Sequence, residues 1–255
     1  MSSVLFADPW PLLPAALAVF FLAGVVKGVV GLGLPTIAMA LLAFLMLPSR
    51  AAALLLVPSL VTNVWQLRPW GALMPLMRRL WTMQAGVCVG TLAGAWCLGA
   101  PSGSWAMVAL GAMLIAYAGW ALSDARLSVA AGVERPLGFA MGALTGAITS
   151  ATGVFTVPAV PFLQALSLER DGLIQAMGLS FTVSTVMLGV GLALNGRYSG
   201  ADAATSTLML APALLGMSAG TWLRQRLSPA MFRTCFLVGL MALGVEMVVR
   251  EALRA

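Results

Sequence analysis

Between Asp8 and Arg50 the chain carries a single charged residue, Lys27, which is also the only lysine in the protein. It lies in Gly24–Pro35, G-V-V-K-G-V-V-G-L-G-L-P, a run that is apolar up to the lysine and then breaks at Gly31, Gly33 and Pro35. So long a stretch with one charge cannot clothe a soluble domain, where about a quarter of the residues are charged. The full chain, 255 residues of which 61% are hydrophobic and 9% charged, makes the same demand. It predicts an all-α polytopic membrane protein, because a helix satisfies its own backbone polar groups where no water can. A lysine at membrane depth costs roughly 2.5–3.5 kcal/mol on insertion scales, and such residues usually face a cavity rather than lipid.

Apolar runs fall at 10–30, 35–47, 51–67, 80–99 and 104–122, and resume at 137–152, 155–166, 172–194, 203–223 and 231–249. Spanning helices need about 20 residues. The 35–47 and 155–166 runs reach only about 20 Å at 1.5 Å per residue, so each half is expected to hold an interrupted or re-entrant helix. The polar segment S-D-A-R-L-S-V-A-A-G-V-E-R-P divides the chain into a first membrane repeat (1–122), a cytoplasmic linker (123–136) and a second repeat (137–255).

The halves read as duplicates. Gly24-x-x-x-Gly28 is set against Gly142-x-x-x-Gly146, which pairs Lys27 with Thr145. Arg50-x8-Ser59 is set against Asp171-x8-Ser180. G-T-L-A-G-A-W at Gly90–Trp96 matches G-M-S-A-G-T-W at Gly216–Trp222. Loops that follow equivalent segments differ in charge. C-L-G-A-P-S-G-S is uncharged where L-R-Q-R-L-S-P is basic, and basic residues favour the cytoplasmic side. Equivalent loops are therefore expected on opposite faces, which makes the halves inverted repeats. Arg68, Arg78, Arg79, Arg126, Arg135, Arg170, Arg224, Arg226 and Arg233 fall inside, and Arg50, Arg197, Arg250 and Arg254 outside. Eight helices in parallel repeats remain open as the alternative.

Paired interrupted helices in corresponding places of two halves point to a transporter's binding site. The expected substrate-binding residues are Lys27, Gly31, Gly33, Thr36, Ser59 and Asn63 in the first half. In the second half they are Thr149, Thr152, Gly153, Thr156, Ser180 and Ser184, with Thr62, Ser150 and Thr182 close by. Helix starts after each break expose backbone N–H groups that attract anions. A lysine among hydroxyls, with no mid-membrane acidic residue except Glu246 toward the interfacial end of the last helix, favours an anion over a cation.

Histidine is absent, which removes a Ser-His pair and an H-E-x-x-H zinc site. Cys88, Cys97 and Cys235 are isolated in apolar runs, so they read as packing residues. No catalytic residue, metal or cofactor is expected. The net charge of +6 sits in short loops, which fits topology better than nucleic-acid binding. The expected partners are the bilayer and a small anion, with a homodimer left open.

At A-T-G-V-F-T-V-P followed by R-D-G-L-I-Q-A-M-G-L-S-F, and at G-L-G-L-P followed by R-A-A-A-L-L-L-V-P-S-L, the chain resembles the TauE/SafE sulfite exporter family over about residues 12 to 250. The resemblance implies a multi-pass transporter of the bacterial inner membrane. It would export sulfite or an organosulfonate by alternating access at the interface of the repeats. The alternative is an anion channel, or a proton-coupled uptake permease for a small sulfur-containing or carboxylate anion.

Overall fold

The computed structural model describes residues 12–123, 127–226 and 228–254, which places Arg126 outside the described residues. Among them are ten α-helices and no strand. The first five are α1 (Leu13–Val30), α2 (Leu34–Leu42), α3 (Pro48–Trp65), α4 (Leu73–Leu98) and α5 (Gly103–Leu122). The second five are α6 (Glu134–Thr152), α7 (Ala159–Ala165), α8 (Arg170–Leu194), α9 (Gly200–Arg224) and α10 (Pro229–Ala252). By length and composition, α1, α5, α8, α9 and α10 can cross a membrane. The two short runs become α2, with 9 residues, and α7, with 7.

Contacts between connections sort the helix ends into two sets. At one end Gln175 donates to the carbonyls of Leu67 (2.6 Å) and Pro69 (2.8 Å), tying the start of α8 to the α3–α4 connection. Arg79, near the start of α4, forms a two-pronged pair with Glu134 and reaches the Leu166 carbonyl. The Val129 N–H donates to the Ala165 carbonyl, and Arg233 to that of Ala121. At the other end Asn195 donates to the Ala95 carbonyl at 3.2 Å. There Leu13 shares a cavity with Leu47, Arg50 and Asp202, and Phe44 shares another with Ser104 and Arg250. Hence α1 and α6 start at opposite ends, as do α3 and α8, α4 and α9, and α5 and α10. The helix α2 returns to the end from which α1 set out.

Lipid offers no hydrophobic drive for helix pairing, so close approach must come from small residues. A Cβ on Gly24 would collide with the Ala213 carbonyl and one on Gly28 with that of Met217, while Gly216 and Gly220 lie against the carbonyls of Phe21 and Val25. The α4–α6 pair repeats this: Gly90 lies against Ala143, Gly142 against Met83 and Gly146 against Val87. Each close pair thus joins one half to the other. With Gly90 opposite Gly216 in sequence, Val87 corresponds to Ala213, and so Gly146 corresponds to Gly24.

This corrects the register read from the glycines alone by one helical turn. If the halves are read as repeats, these contacts set Gly24 against Gly146 rather than Gly142, and Lys27 against Thr149 rather than Thr145. The helix ends agree. Gly31 (φ 86°) closes α1 on the Lys27 carbonyl, and Gly153 (φ 71°) closes α6 on that of Thr149, both at 2.8 Å. Three glycines spaced by four in α6 admit two alignments, and only the packing partner selects one.

The helix α3 contains Pro58, whose missing N–H leaves the Leu54 carbonyl without its helical donor. Ser206 of α9 supplies it, donating to that carbonyl at 2.7 Å while accepting from the Val57 N–H at 3.0 Å. A neighbouring helix thereby supplies the missing donor, as membrane depth requires.

Candidate functional site

Lys27 lies one turn before the end of α1 and is 3% exposed. Its ammonium donates to Thr62 Oγ1 at 2.9 Å and Asn63 Oδ1 at 2.5 Å, both on α3. Thr62 in turn donates to the Pro58 carbonyl. Asn63 uses its amide N–H on Thr185 Oγ1 (3.4 Å), and Thr185 donates to the Phe181 carbonyl. All four side chains are buried. Among the described residues, every hydrogen-bond acceptor of Lys27 is a neutral oxygen, and no carboxylate joins the cluster.

The break after α1 is held from the same helix. Gln66, at the end of α3, donates to the Gly31 carbonyl at 2.7 Å. Its own Oε1 is buried and has no partner among the described residues. Gly33 (φ 110°) precedes α2, and Thr36 in the first turn of α2 is fully buried with its hydroxyl unmatched. These left-handed angles suit glycine.

The second break is built differently. Thr149 donates to the Thr145 carbonyl and Thr152 to that of Ile148, both to the preceding turn. Thr152 Oγ1 also accepts the Val154 N–H at 3.2 Å. This bond ties down the turn that follows α6, and α7, with 7 residues, is too short to add an appreciable dipole. Met39 of α2 packs against Gly153, so the first short helix plugs the second break. Thr156 stands just ahead of α7, buried, with its hydroxyl unmatched.

The crossing of α3 and α8 is fixed by Gly178 against Asn63 and Gln66, and by Gly189 against Leu56. Ser59 lies between these points on α3, and Ser180 and Ser184 between them on α8. All three are 0% exposed, and none of their hydroxyls has a partner among the described residues. Ser59 and Asn63 on α3, with Lys27 bound to Asn63, therefore stand at the same level as Ser180 and Ser184 on α8. The two serines are turned toward the Gly191 face of that helix, and Gly31 is tied to this level through Gln66. Thr149, Thr152 and Gly153 instead form the architecture of the second break.

Sequence reasoning missed Gln66 and Thr185. Gln66 follows Asn63 by three residues and so shares its helical face. Thr185 directly follows Ser184, one of the expected serines. What hid them was the uncertain end of α3 and the rotation of α8.

A profile of the sulfite exporter TauE/SafE family matches residues 16–247, nearly the whole chain. The chain belongs to the TauE/SafE family. Comparison with curated proteins and with solved structures gave no match. As a TauE/SafE member with several helices of spanning length, it is a multi-pass membrane protein of a transporter family.

Proposed function

We propose that the chain carries a small sulfur-containing oxyanion, sulfite or an organosulfonate, out of the cell by alternating access of two inverted repeats about Lys27. The repeats are residues 1–122 and 137–255, joined by a cytoplasmic linker at 123–136, with α2 and α7 as re-entrant pieces. The observation that carries this reading is a buried ammonium whose partners are all neutral. Such a charge is stabilised by whatever anion enters beside it. The unmatched hydroxyls of Ser59, Ser180 and Ser184 can donate to anion oxygens while Lys27 supplies the charge. Thr36 and Thr156 extend that set at the starts of the short helices.

The inverted reading is supported by the opposite starts of equivalent helices and by the reciprocal glycine contacts of α1–α9 and α4–α6. Gly111 and Gly244 face each other's carbonyls between α5 and α10 in the same reciprocal way. In the alignment of Ser59 with Ser180, Asn63 corresponds to Ser184, and Asn63 bonds to the adjacent Thr185. The anion site then lies beside the two-fold axis, at the interface that alternating access requires. Export of an anion from an inside-negative cell is downhill by about 2.3 kcal/mol per charge per 100 mV.

The test is labelled sulfite flux from proteoliposomes. Lys27→Ala is expected to reduce flux to background, and external sulfite to accelerate efflux from wild-type protein by counterflow. Unchanged flux in Lys27→Ala would sink the role of the lysine, and non-saturable flux without counterflow would make the protein a channel.

A further inference from the structure

The helices α4 and α8 run in the same direction and touch at Ala95–Gly191, where a Cβ on the glycine would lie 3.1 Å from that of Ala95. Helical residues four, seven and eleven apart share a face. On α4, Thr91, Cys88 and Gln84 precede Ala95 at those spacings; on α8, Ser184 and Ser180 precede Gly191 by seven and eleven. Both helices rise 1.5 Å per residue, so Gln84 stands level with Ser180 and Cys88 with Ser184. This face of each helix therefore looks across one seam.

The seam is polar and unmatched. Both amide atoms of Gln84 and the hydroxyls of Thr91, Ser180 and Ser184 are buried without a hydrogen-bond partner among the described residues. The three hydroxyl residues are fully buried. Leaving a polar group buried and unmatched costs about 1–3 kcal/mol each, so a seam of them is built to meet a polar occupant. Its inner end is the α3–α8 crossing beside Lys27. Its outer end is a small cavity lined by Thr91, Ala95, Pro101, Ser150 and Leu188, at the arginine-poor end.

The opposite half lacks this seam. With Gly90 set against Gly216, Gln84 corresponds to Leu210 and Thr91 to Met217. The route from the centre to the arginine-rich end along α3 and α9 thus carries a leucine and a methionine where the other route has an amide and a hydroxyl.

We propose that the α4–α8 seam is a hydrated route for a small oxyanion between the Lys27 site and the arginine-poor face, and that Gln84 is its hydrogen-bond donor to the passing anion. This rests on the anion reading above and assigns one exit path to it.

The native Cys88 tests hydration directly. In Cys97→Ala/Cys235→Ala protein, a small charged methanethiosulfonate is expected to modify Cys88 at least about tenfold faster than it modifies Leu210→Cys made in the Cys88→Ala background, because only a hydrated thiolate reacts. Gln84→Leu is expected to lower sulfite flux about tenfold, while sulfite still raises the melting temperature of the variant. Equal labelling at the two positions, or parental flux in Gln84→Leu, overturns the route. The labelling arm keeps the native glutamine and stands even if Gln84→Leu fails to fold. If Lys27→Ala transports normally while both arms hold, the central site fails and the seam survives. If Lys27→Ala is inactive and both arms fail, the seam alone is wrong.

Discussion

Lys27 shows why a single residue can be legible in sequence and still be misjudged in its surroundings. Its charge inside an apolar run marked it, because burying an ammonium is costly whatever the fold. Thr62 and Asn63 were expected near it, but not as its direct acceptors. These two residues of α3 reach it only through the length of the lysine side chain, and Gln66 meets Gly31 because the α1 break lies beside the end of α3. The threonines of the second half read as ligands on composition, yet Thr149 and Thr152 spend their hydroxyls on the preceding turn, the common fate of such residues in a helix. A cation kept for a substrate rather than for the fold has a clear signature. Burying an ammonium with no counter-ion costs several kcal/mol, more than the roughly 1–3 kcal/mol of leaving Asn63 Oδ1 without its donor. Lys27→Met is therefore expected to melt at or above the wild-type temperature without ligand, and to lose all stabilisation by sulfite. A large drop in melting temperature with the sulfite shift intact would make the lysine a structural donor instead.

The elements were foreseen as apolar runs, and the two short ones as partial helices, since run length alone separates a spanning helix from a piece. Their pairing was not foreseen in register. Small residues recur every fourth position in α1, α4, α6 and α9, and such a pattern states that a helix is approached closely without stating by which turn. The carbonyl that each glycine meets decides it. Gly90→Ile is expected to separate α4 from α6 and abolish monodisperse folded protein in size-exclusion chromatography. Gly71→Ala, at a site with nothing within 4 Å of a new Cβ, should elute as wild type. The carbonyl freed by Pro58 carries a second expectation. Ser206→Ala leaves the Leu54 carbonyl without a donor and should lower stability by about 1 kcal/mol, the scale of a hydrogen bond within a membrane protein. A thermal or steric-trapping measurement would show it, and no change would mean that water replaces the serine.

At the scale of the molecule, charge and topology agree. Arg68, Arg78, Arg79, Arg135, Arg170, Arg224, Arg226 and Arg233 belong to the end that gathers the α3–α4, α5–α6, α7–α8 and α9–α10 connections. Arg50, Arg197, Arg250 and Arg254 belong to the other. Arg68 over Trp65 (4.1 Å) and Arg226 over Trp222 (4.2 Å) set aromatic rings at that first end, as membrane interfaces favour. Cysteines placed in the 99–102 and 195–199 connections are thus expected to react with impermeant maleimide in intact cells. One at Ser167 should react only after lysis, and reversed accessibility would invert the orientation.

The sequence by itself determined the solvent, the class of fold, the two breaks and the sign of the charge at the centre. Each of these follows from which side chains are absent or expensive in hydrocarbon, and composition records that without reference to neighbours. Only the tertiary structure decided that Lys27 meets Thr62 and Asn63, that Met39 fills the second break, and that Gly146 lies against Val87. Those are facts about which turn of one helix meets which turn of another. Close-packed glycines set that to within one residue, and no periodicity within a single helix contains it.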